Sequence, residues 1–510
     1  MKDQDELYEL IKSLSKSEKR YFKLFASGYS GTKNHIRLFE AIEKQTKTDI
    51  GDCYNEKAIK EGFKGGAFIR QLHVTKNYLK NLILKSLRNY HQHISIGSIL
   101  KDQLRDIEIL YNKGLYKQSK KLIKKSEQLA LEHEKFTILI ELMSWKRNII
   151  QVEKGTYQSV HYNKEIVKSE RSVIKSLENI IDYWDLGLKI LEDNFNNNPA
   201  KTSHNNNPLL KNERRAISFP AKKMYHFIRY TQSVFNSETK KGYDHALAAI
   251  QLFDKHPQQI KEDPISYATA INNLIPICFR LGKYDEVKDL IEKVKKLPQN
   301  YALSNFDHLY FKLFLRTYNN ELELYRDLGE IESGIKLIGE VKEFLQRFDA
   351  VITQDYRTLF NFQIAYFYFA DSNYSQSLEY LNKILNEKET ERTDIYTYTR
   401  ILNLMVHYEL KNYFLIEYLY KSTKRYFNKK NRLYNFEKAI LEFFKNVSQT
   451  NNENAISKLK NLKKKILALD EDHSESLDYI NILVWIQSKL NRRPFIKLIQ
   501  EYQKNQPVSV

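Results

Sequence analysis

The chain has 510 residues, 42% hydrophobic and 28% charged, with a formal net charge of +19 at pH 7. This balance excludes a disordered chain, and two cysteines so far apart as Cys53 and Cys278 exclude a disulfide framework or a metal-binding cysteine pair. Only 15 glycines and 9 prolines punctuate the sequence, so long helices with few loops are expected, and strand-like alternation is hard to find. The first twelve residues carry acids where a signal peptide needs bases, and no run approaches the roughly 20 apolar residues of a membrane span. A soluble, cytoplasmic protein is the expectation.

In chain order, residues 5–27 read as two short helices, with Ser15 or Ser17 at the N-cap of the second, and residues 35–45 as another. Between Glu61 and Asp102 no acidic residue occurs, while Lys64, Arg70, Lys76, Lys80, Lys85, Arg88 and Lys101 are all basic. Residues 68–87 loosely resemble the DNA-binding helix-turn-helix. Leu72 and Val74 would flank its turn, Thr75 would cap the second helix, and Lys76, Asn77 and Lys80 would project from a recognition helix. The sequence departs from that motif at His73, in place of the turn glycine, and at Ile69, in place of a small core residue. The basic face could serve DNA, RNA, a ribosome or an acidic protein. It could equally be the solvated cap that a repeat array needs at its end.

Beyond residue 100 one phrase recurs: a glycine, an aromatic residue two positions on, and a small residue three after that. It is clearest at Gly282, Tyr284 and Val287. Related versions stand at Gly114 with Tyr116, Gly155 with Tyr157, Tyr243 with Ala246, Tyr374 with Ser377, and Tyr413, and Ile331 with Gly334 is a weaker copy. The aromatic positions follow at 41 residues (Tyr243 to Tyr284), 47 (to Ile331), 43 (to Tyr374) and 39 (to Tyr413). Tyr157 to Tyr243 spans two periods and contains the Asn-rich loop 194–208. Each unit predicts a helical hairpin. Ile271, Leu274, Ile275 and Cys278 form the first stripe, kinked by Pro276 and ended by Gly282. Val287, Leu290, Ile291 and Val294 form the second, closed by Pro298. Tyr284 fills the corner between them. Helical stripes continue through 455–469 and 478–490, joined by an acid-rich loop in which Ser474 or Ser476 caps the next helix.

Paired helices repeating about every 40 residues are the mark of a helical solenoid. Through Gly114 and Tyr116, Gly155 and Tyr157, Tyr243 and Ala246, Gly282 and Tyr284, and Tyr374 and Ser377, residues 101–430 resemble the tetratricopeptide-repeat family. The helices are longer here and the period exceeds that family's ~34 residues. The resemblance implies first helices lining a concave groove that binds a peptide. The expected fold is an all-α helical-hairpin solenoid, residues 101–510, preceded by a small basic helical domain, residues 1–100.

Catalytic signatures are missing. No phosphate-binding loop, zinc-protease helix or nucleophile elbow occurs, and His91 and His93 lie on different sides of a helix. No enzyme, metal or cofactor is expected. One constellation points to binding. Twelve residues before Tyr284 and Ile331 stand Asn272 and Asn319, followed by Asn273 and Asn320; before Tyr374 the asparagine is one position off, at Asn361. A row of amides could hold the backbone of an extended peptide without reading its sequence. The expected role is therefore a non-enzymatic scaffold that holds a protein or peptide in its groove. The alternative is a nucleic-acid-associated protein, either a DNA-binding regulator or an RNA- or ribosome-binding factor, acting through the basic N-terminal domain.

Overall fold

The computed structural model describes residues 6–28, 33–46, 54–63, 71–93, 95–195, 206–303, 307–389, 392–430, 434–449, 454–468 and 480–505. Among them there is no strand, and no helix is long and apolar enough to cross a membrane. Packing divides the chain into residues 1–181 and 182–510.

The first unit opens with α1 (Glu6–Ser13), α2 (Lys16–Ser27), α3 (Lys33–Gln45), α4 (Glu56–Gly62) and α5 (Leu72–Tyr90). Their apolar stripes meet in one core, with Leu7, Tyr8, Ile11, Phe22, Phe39, Ile42, Leu79 and Ile83 buried together. Ser15 is the cap of α2. Its hydroxyl accepts from the Glu18 backbone N–H while the Glu18 carboxylate accepts from the Ser15 N–H, a reciprocal box. The helix-turn-helix expectation is corrected here. Leu72, Val74 and Thr75 do not form or flank a turn; they are the first residues of the single helix α5. Without a glycine at His73 nothing breaks the helix there. Thr75 is buried, and its hydroxyl bonds back to the Gln71 carbonyl instead of capping. Lys64, Arg70 and Ile69 lie outside the described residues, as do Cys53, the acid-rich loop with Ser474 and Ser476, and most of the Asn-rich loop.

Next come α6 (Ile96–Asn112) and α7 (Tyr116–Glu132), a hairpin that turns at Gly114, followed by α8 (Phe136–Phe195). Gly155 breaks α8 with φ 71° and ψ 170°, and the chain folds back. Arg147 is ion-paired with Glu170; along a straight helix those residues would stand about 35 Å apart at 1.5 Å per residue. The turn expected at Gly155 thus exists. Tyr157 does not fill its corner, however, being 94% exposed.

The second unit continues with α9 (Phe219–Phe235), α10 (Thr239–Asp254), the short α11 (Pro257–Glu262), α12 (Pro264–Arg280), α13 (Tyr284–Asn300), α14 (Asp307–Leu328) and α15 (Ile331–Arg347). After them come α16 (Gln354–Ala370), α17 (Tyr374–Asn386), α18 (Thr393–Glu409), α19 (Tyr413–Lys429), α20 (Asn435–Gln449), α21 (Ala455–Leu467), α22 (Ile482–Asn491) and α23 (Phe495–Asn505). Each of the pairs α9–α10, α12–α13, α14–α15, α16–α17 and α18–α19 is joined by the same turn. One residue adopts a left-handed conformation (Ser237, Gly282, Gly329, Ser372, Lys411), and the next N–H reaches a carbonyl five residues back, as Lys283 does to Cys278 at 2.9 Å. Only two of these five residues are glycine, so a glycine search finds only part of the repeat.

The corner is closed by two rings five residues apart, Phe279 with Tyr284, Phe369 with Tyr374 and Tyr408 with Tyr413, at 5.9–6.3 Å between centroids. Three residues into each second helix sits a small or branched side chain with no room around it. Ser377 is fully buried and its hydroxyl donates to the Ala365 carbonyl of the first helix at 2.8 Å. This register corrects the reading at 242–246. Gly242 is not the turn. It occupies the close-packing slot inside α10, where a Cβ would come within 3.0 Å of Ile277, while the turn lies at Ser237. One proline also differs from expectation: Pro298 lies within α13 rather than closing it. α12 runs through Pro276 as one helix.

First helices of neighbouring hairpins pack on one another, α12 on α14, α14 on α16 and α16 on α18; second helices meet chiefly first helices. The first helices thus form the more closely packed layer, and their exposed side is called the inner face. The core is continuous along the stack, from Phe219 and Phe253 through Ile275, Leu322 and Phe362 to Phe444 and Trp485.

Candidate binding groove

Pro276 decides the local chemistry of the inner face. A proline has no N–H, so the carbonyl four residues earlier loses its helical partner. That carbonyl belongs to Asn272, and the Arg316 guanidinium donates to it at 2.7 Å. The same guanidinium donates to the Asn273 side-chain oxygen at 3.0 Å. Arg316, on α14, is thereby pinned to α12, and among the described residues no carboxylate forms an ion pair with it.

The asparagines are not a solvent-facing row. Asn272 is buried and accepts from the amide of Asn320, also buried, at 2.8 Å. Asn319, the residue expected opposite, is half-buried and donates to Glu323 at 3.2 Å. Asn319 stands ten residues before Gly329, as Asn272 does before Gly282, yet it is the next residue, Asn320, that turns toward Asn272. Asn272 joins two helices and is not available to a ligand.

The inner face opens elsewhere. Between α9 and α12, which meet far less than later first helices do, lies a cavity of about 330 Å³. α9 contributes Met224, Phe227 and Tyr230, α12 contributes Thr269, Ala270 and Asn273, and α10 forms the floor with Ala246 and Ala249. Trp184, 53% exposed, stands on the same cavity from the end of α8. The small floor side chains leave the space, and aromatic walls shape it. Lys223 is neutralised by Asp263 at 2.8 Å and bonded to Ser266 at 3.0 Å. His226 and His245 lie on the wall with ring centroids 5.8 Å apart. Burial keeps both imidazoles neutral. It pushes His245 down to about 4, reinforced by His226 and Arg229, and it lowers His226 against the opposing pull of Glu213. Sequence reasoning missed this cavity; its only trace was the alanine spacing of α10.

Further along, the chain covers its own inner face. The Trp485 indole of α22 donates to Glu409 at 2.6 Å, and Lys489 meets the other oxygen of that carboxylate at 2.5 Å. Asn481 donates to the buried Tyr366 hydroxyl at 2.7 Å. Phe495 of α23 stands edge-on to Phe369 at 5.7 Å, and Gln500 donates to the Gly329 carbonyl at 3.3 Å. The C-terminal hairpin therefore lies on the ends of α14, α16 and α18. No feature of the sequence announced this, since the partners are 76 to 171 residues apart.

The basic stretch is also rearranged by folding. Lys76 is half-buried, 3.3 Å from Glu56 and over the Tyr54 ring at 4.4 Å. Lys80 pairs with Glu6, and His91 is 2.6 Å from Glu18. Asn77, Lys85 and Arg88 are exposed. Lys85 and Arg88 lie about 180° and 120° around α5 from Lys76, at roughly 100° per residue. Acids from α1, α2 and α4 thus fill in the stretch that lacks acids of its own, and the described cations do not share one face. Among the described residues no cluster of His, Cys, Asp and Glu could hold a metal ion.

No family model, no curated protein and no solved structure matches this chain.

Proposed function

We propose that this protein is a non-enzymatic helical-repeat scaffold of tetratricopeptide-like character that binds a protein or peptide on the inner face of its stack, at the cavity between α9 and α12. The observation that carries this reading is an apolar, half-open cavity between α9 and α12, a stretch to which the C-terminal hairpin's bonds to Glu409 and Gly329 do not run, with a largely exposed tryptophan on its rim. Pockets built from apolar walls and a few polar groups are where polypeptide side chains anchor. The nucleic-acid alternative draws less support, because Lys76 and Lys80 are committed to Glu56 and Glu6.

The test is a photo-cross-linking residue at Ala270, with a control at the exposed Lys296 of α13. Adducts with polypeptide at 270 alone, unaffected by nuclease, are expected. Equal adducts at both positions, or adducts that nuclease removes, would overturn the reading.

A further inference from the structure

The second half of α8, beyond the break at Gly155, carries two rows of side chains seven residues apart. Ser159, Ile166 and Val173 are buried. One position later in each heptad stand Val160, Val167, Ile174 and Ile181, and all four are exposed, Ile181 by 64%. The sequence continues this row with Leu188. A helix turns 100° per residue, so a row of sevens drifts by only about 20° per step and stays one stripe. Exposed apolar residues scattered singly need no explanation, but a stripe repeated at this period does. Seven is the spacing that two helices share when they pack side by side at a shallow angle, so the shape that fits the stripe is another helix. Four residues after each apolar position runs a line of charges, Lys164, Arg171, Glu178 and Asp185, two bases followed by two acids. Lys164, Arg171 and Glu178 take part in no ion pair among the described residues, and Asp185 pairs with Lys189 on its own helix at 2.7 Å.

We propose that this stripe is the contact between two copies of the chain, packed antiparallel across a two-fold axis at Ile174. The charges select both the occupant and its direction. With Ile174 of one copy against Ile174 of the other, Val167 of each meets Ile181 of the other, and Val160 meets Leu188. In an antiparallel pair the same flank of each helix lies on the same side of the contact. Arg171 of each copy therefore comes beside Glu178 of the other, and Lys164 beside Asp185. Two bases followed by two acids match themselves on reversal, which is what an isologous interface requires. In a parallel pair this line would lie against the opposite flank of the second helix, where Ser159, Ile166 and Val173 are buried, and the charges would go unmatched. A nucleic acid laid along the row would meet Glu178 and Asp185, and an evenly basic helix would meet Lys164 and Arg171. Nothing in the proposal depends on what the cavity between α9 and α12 binds.

The experiment is sedimentation equilibrium of the full chain at low ionic strength, where charge pairs count most. With rising concentration the wild type should pass from 60.8 kDa toward twice that mass. Ile174→Asp should stay monomeric with unchanged helical content, because the side chain is exposed and its replacement disturbs no core. Glu178→Arg should weaken the dimer roughly tenfold, since the two-fold axis turns two pairs into two like-charge encounters, and adding Arg171→Glu to the same chain should restore it. Direction is read from single cysteines under oxidation. Ile174→Cys should give a disulfide-linked dimer, because position 174 meets itself. Val160→Cys should give no more than the wild type, whose Cys53 and Cys278 set the background. A monomer at every concentration overturns the proposal, and so does a dimer that survives Ile174→Asp. Linkage at 160 as ready as at 174 overturns the antiparallel direction. A double variant as weak as Glu178→Arg alone overturns the charge pairing.

Discussion

Two stretches of the same inner face are built alike and finished differently. From α14 to α18 the first helices touch, and their ends are covered by the C-terminal hairpin through Trp485, Lys489, Phe495 and Gln500. From α9 to α12 the first helices stand apart, and the gap is left open with Trp184 exposed beside it. Each hairpin has an apolar face that needs a neighbour. Where the chain returns to supply that neighbour, the inner face becomes core. Where it does not, the face stays open. A repeat array can thus hold covered and open surfaces in adjacent units without changing the turn that makes each unit.

The covered end should give way most dramatically. Trp485 is 1% exposed, bonded to Glu409 and surrounded by Tyr408, Phe443 and Phe444. Trp485→Ala should cost about 3–5 kcal/mol, as large buried aromatics do. Hydrogen exchange should rise along α18, α20, α22 and α23 while α9–α12 keep their protection, because stacked repeats couple to their neighbours. Loss spread evenly from end to end would mean that the two stretches are one cooperative body.

A smaller contrast comes from adding atoms. A Cβ on Gly334 would collide with the Phe367 ring of the next hairpin, so Gly334→Ala should cost roughly 1–3 kcal/mol by overpacking. Ala270→Phe adds far more volume, yet it adds it at a half-buried position on an open cavity. Its denaturation midpoint should move by less than about 0.5 kcal/mol, within the range of ordinary surface changes. If the order of the two variants reversed, the cavity would be no cavity in solution.

Tyr284 belongs to the turn shared by both ends. It is half-buried and edge-on to Phe279 at 6.3 Å, so Tyr284→Ala should cost about 1–2 kcal/mol, less than a fully buried ring. Chemical denaturation measures this, and an unchanged midpoint would mean that the corner pair contributes nothing.

Acid should loosen the open end first. His226 and His245 are held neutral in the folded chain, so the unfolded chain binds more protons as pH falls. Stability from this pair is full above the ordinary histidine range near 6.5 and is lost as pH drops toward about 4, the level to which His245 is pushed. The groups acting on the pair are Glu213 and Lys222 for His226, and Arg229 and Asp244 for His245. His245→Gln should flatten the decline in thermal midpoint between pH 6.5 and 4. An unaltered slope would place the acid sensitivity in other buried histidines such as His407.

The sequence by itself determined the all-α hairpin stack. Scarce glycine and proline, three-and-four apolar spacing and a turn recurring about every 40 residues are local properties, and helices are made by local bonds. It narrowed the α2 cap to Ser15 or Ser17 and placed the turns at Gly114, Gly155 and Gly282 for the same reason. It misplaced the turn near 242 because left-handed Ser237 looks like any other serine, and a packing glycine, Gly242, looks like a turn glycine. It read a turn at His73 where α5 simply continues. Tertiary structure alone decided everything that depends on distant partners. Acids at Glu6 and Glu56 neutralise a basic stretch that has none of its own. Pro276 redirects an orphaned carbonyl to Arg316, 44 residues away. The C-terminal hairpin covers one part of the inner face and leaves the other open. Such pairings are set by which surfaces meet once the hairpins stack, and no spacing along the chain encodes them.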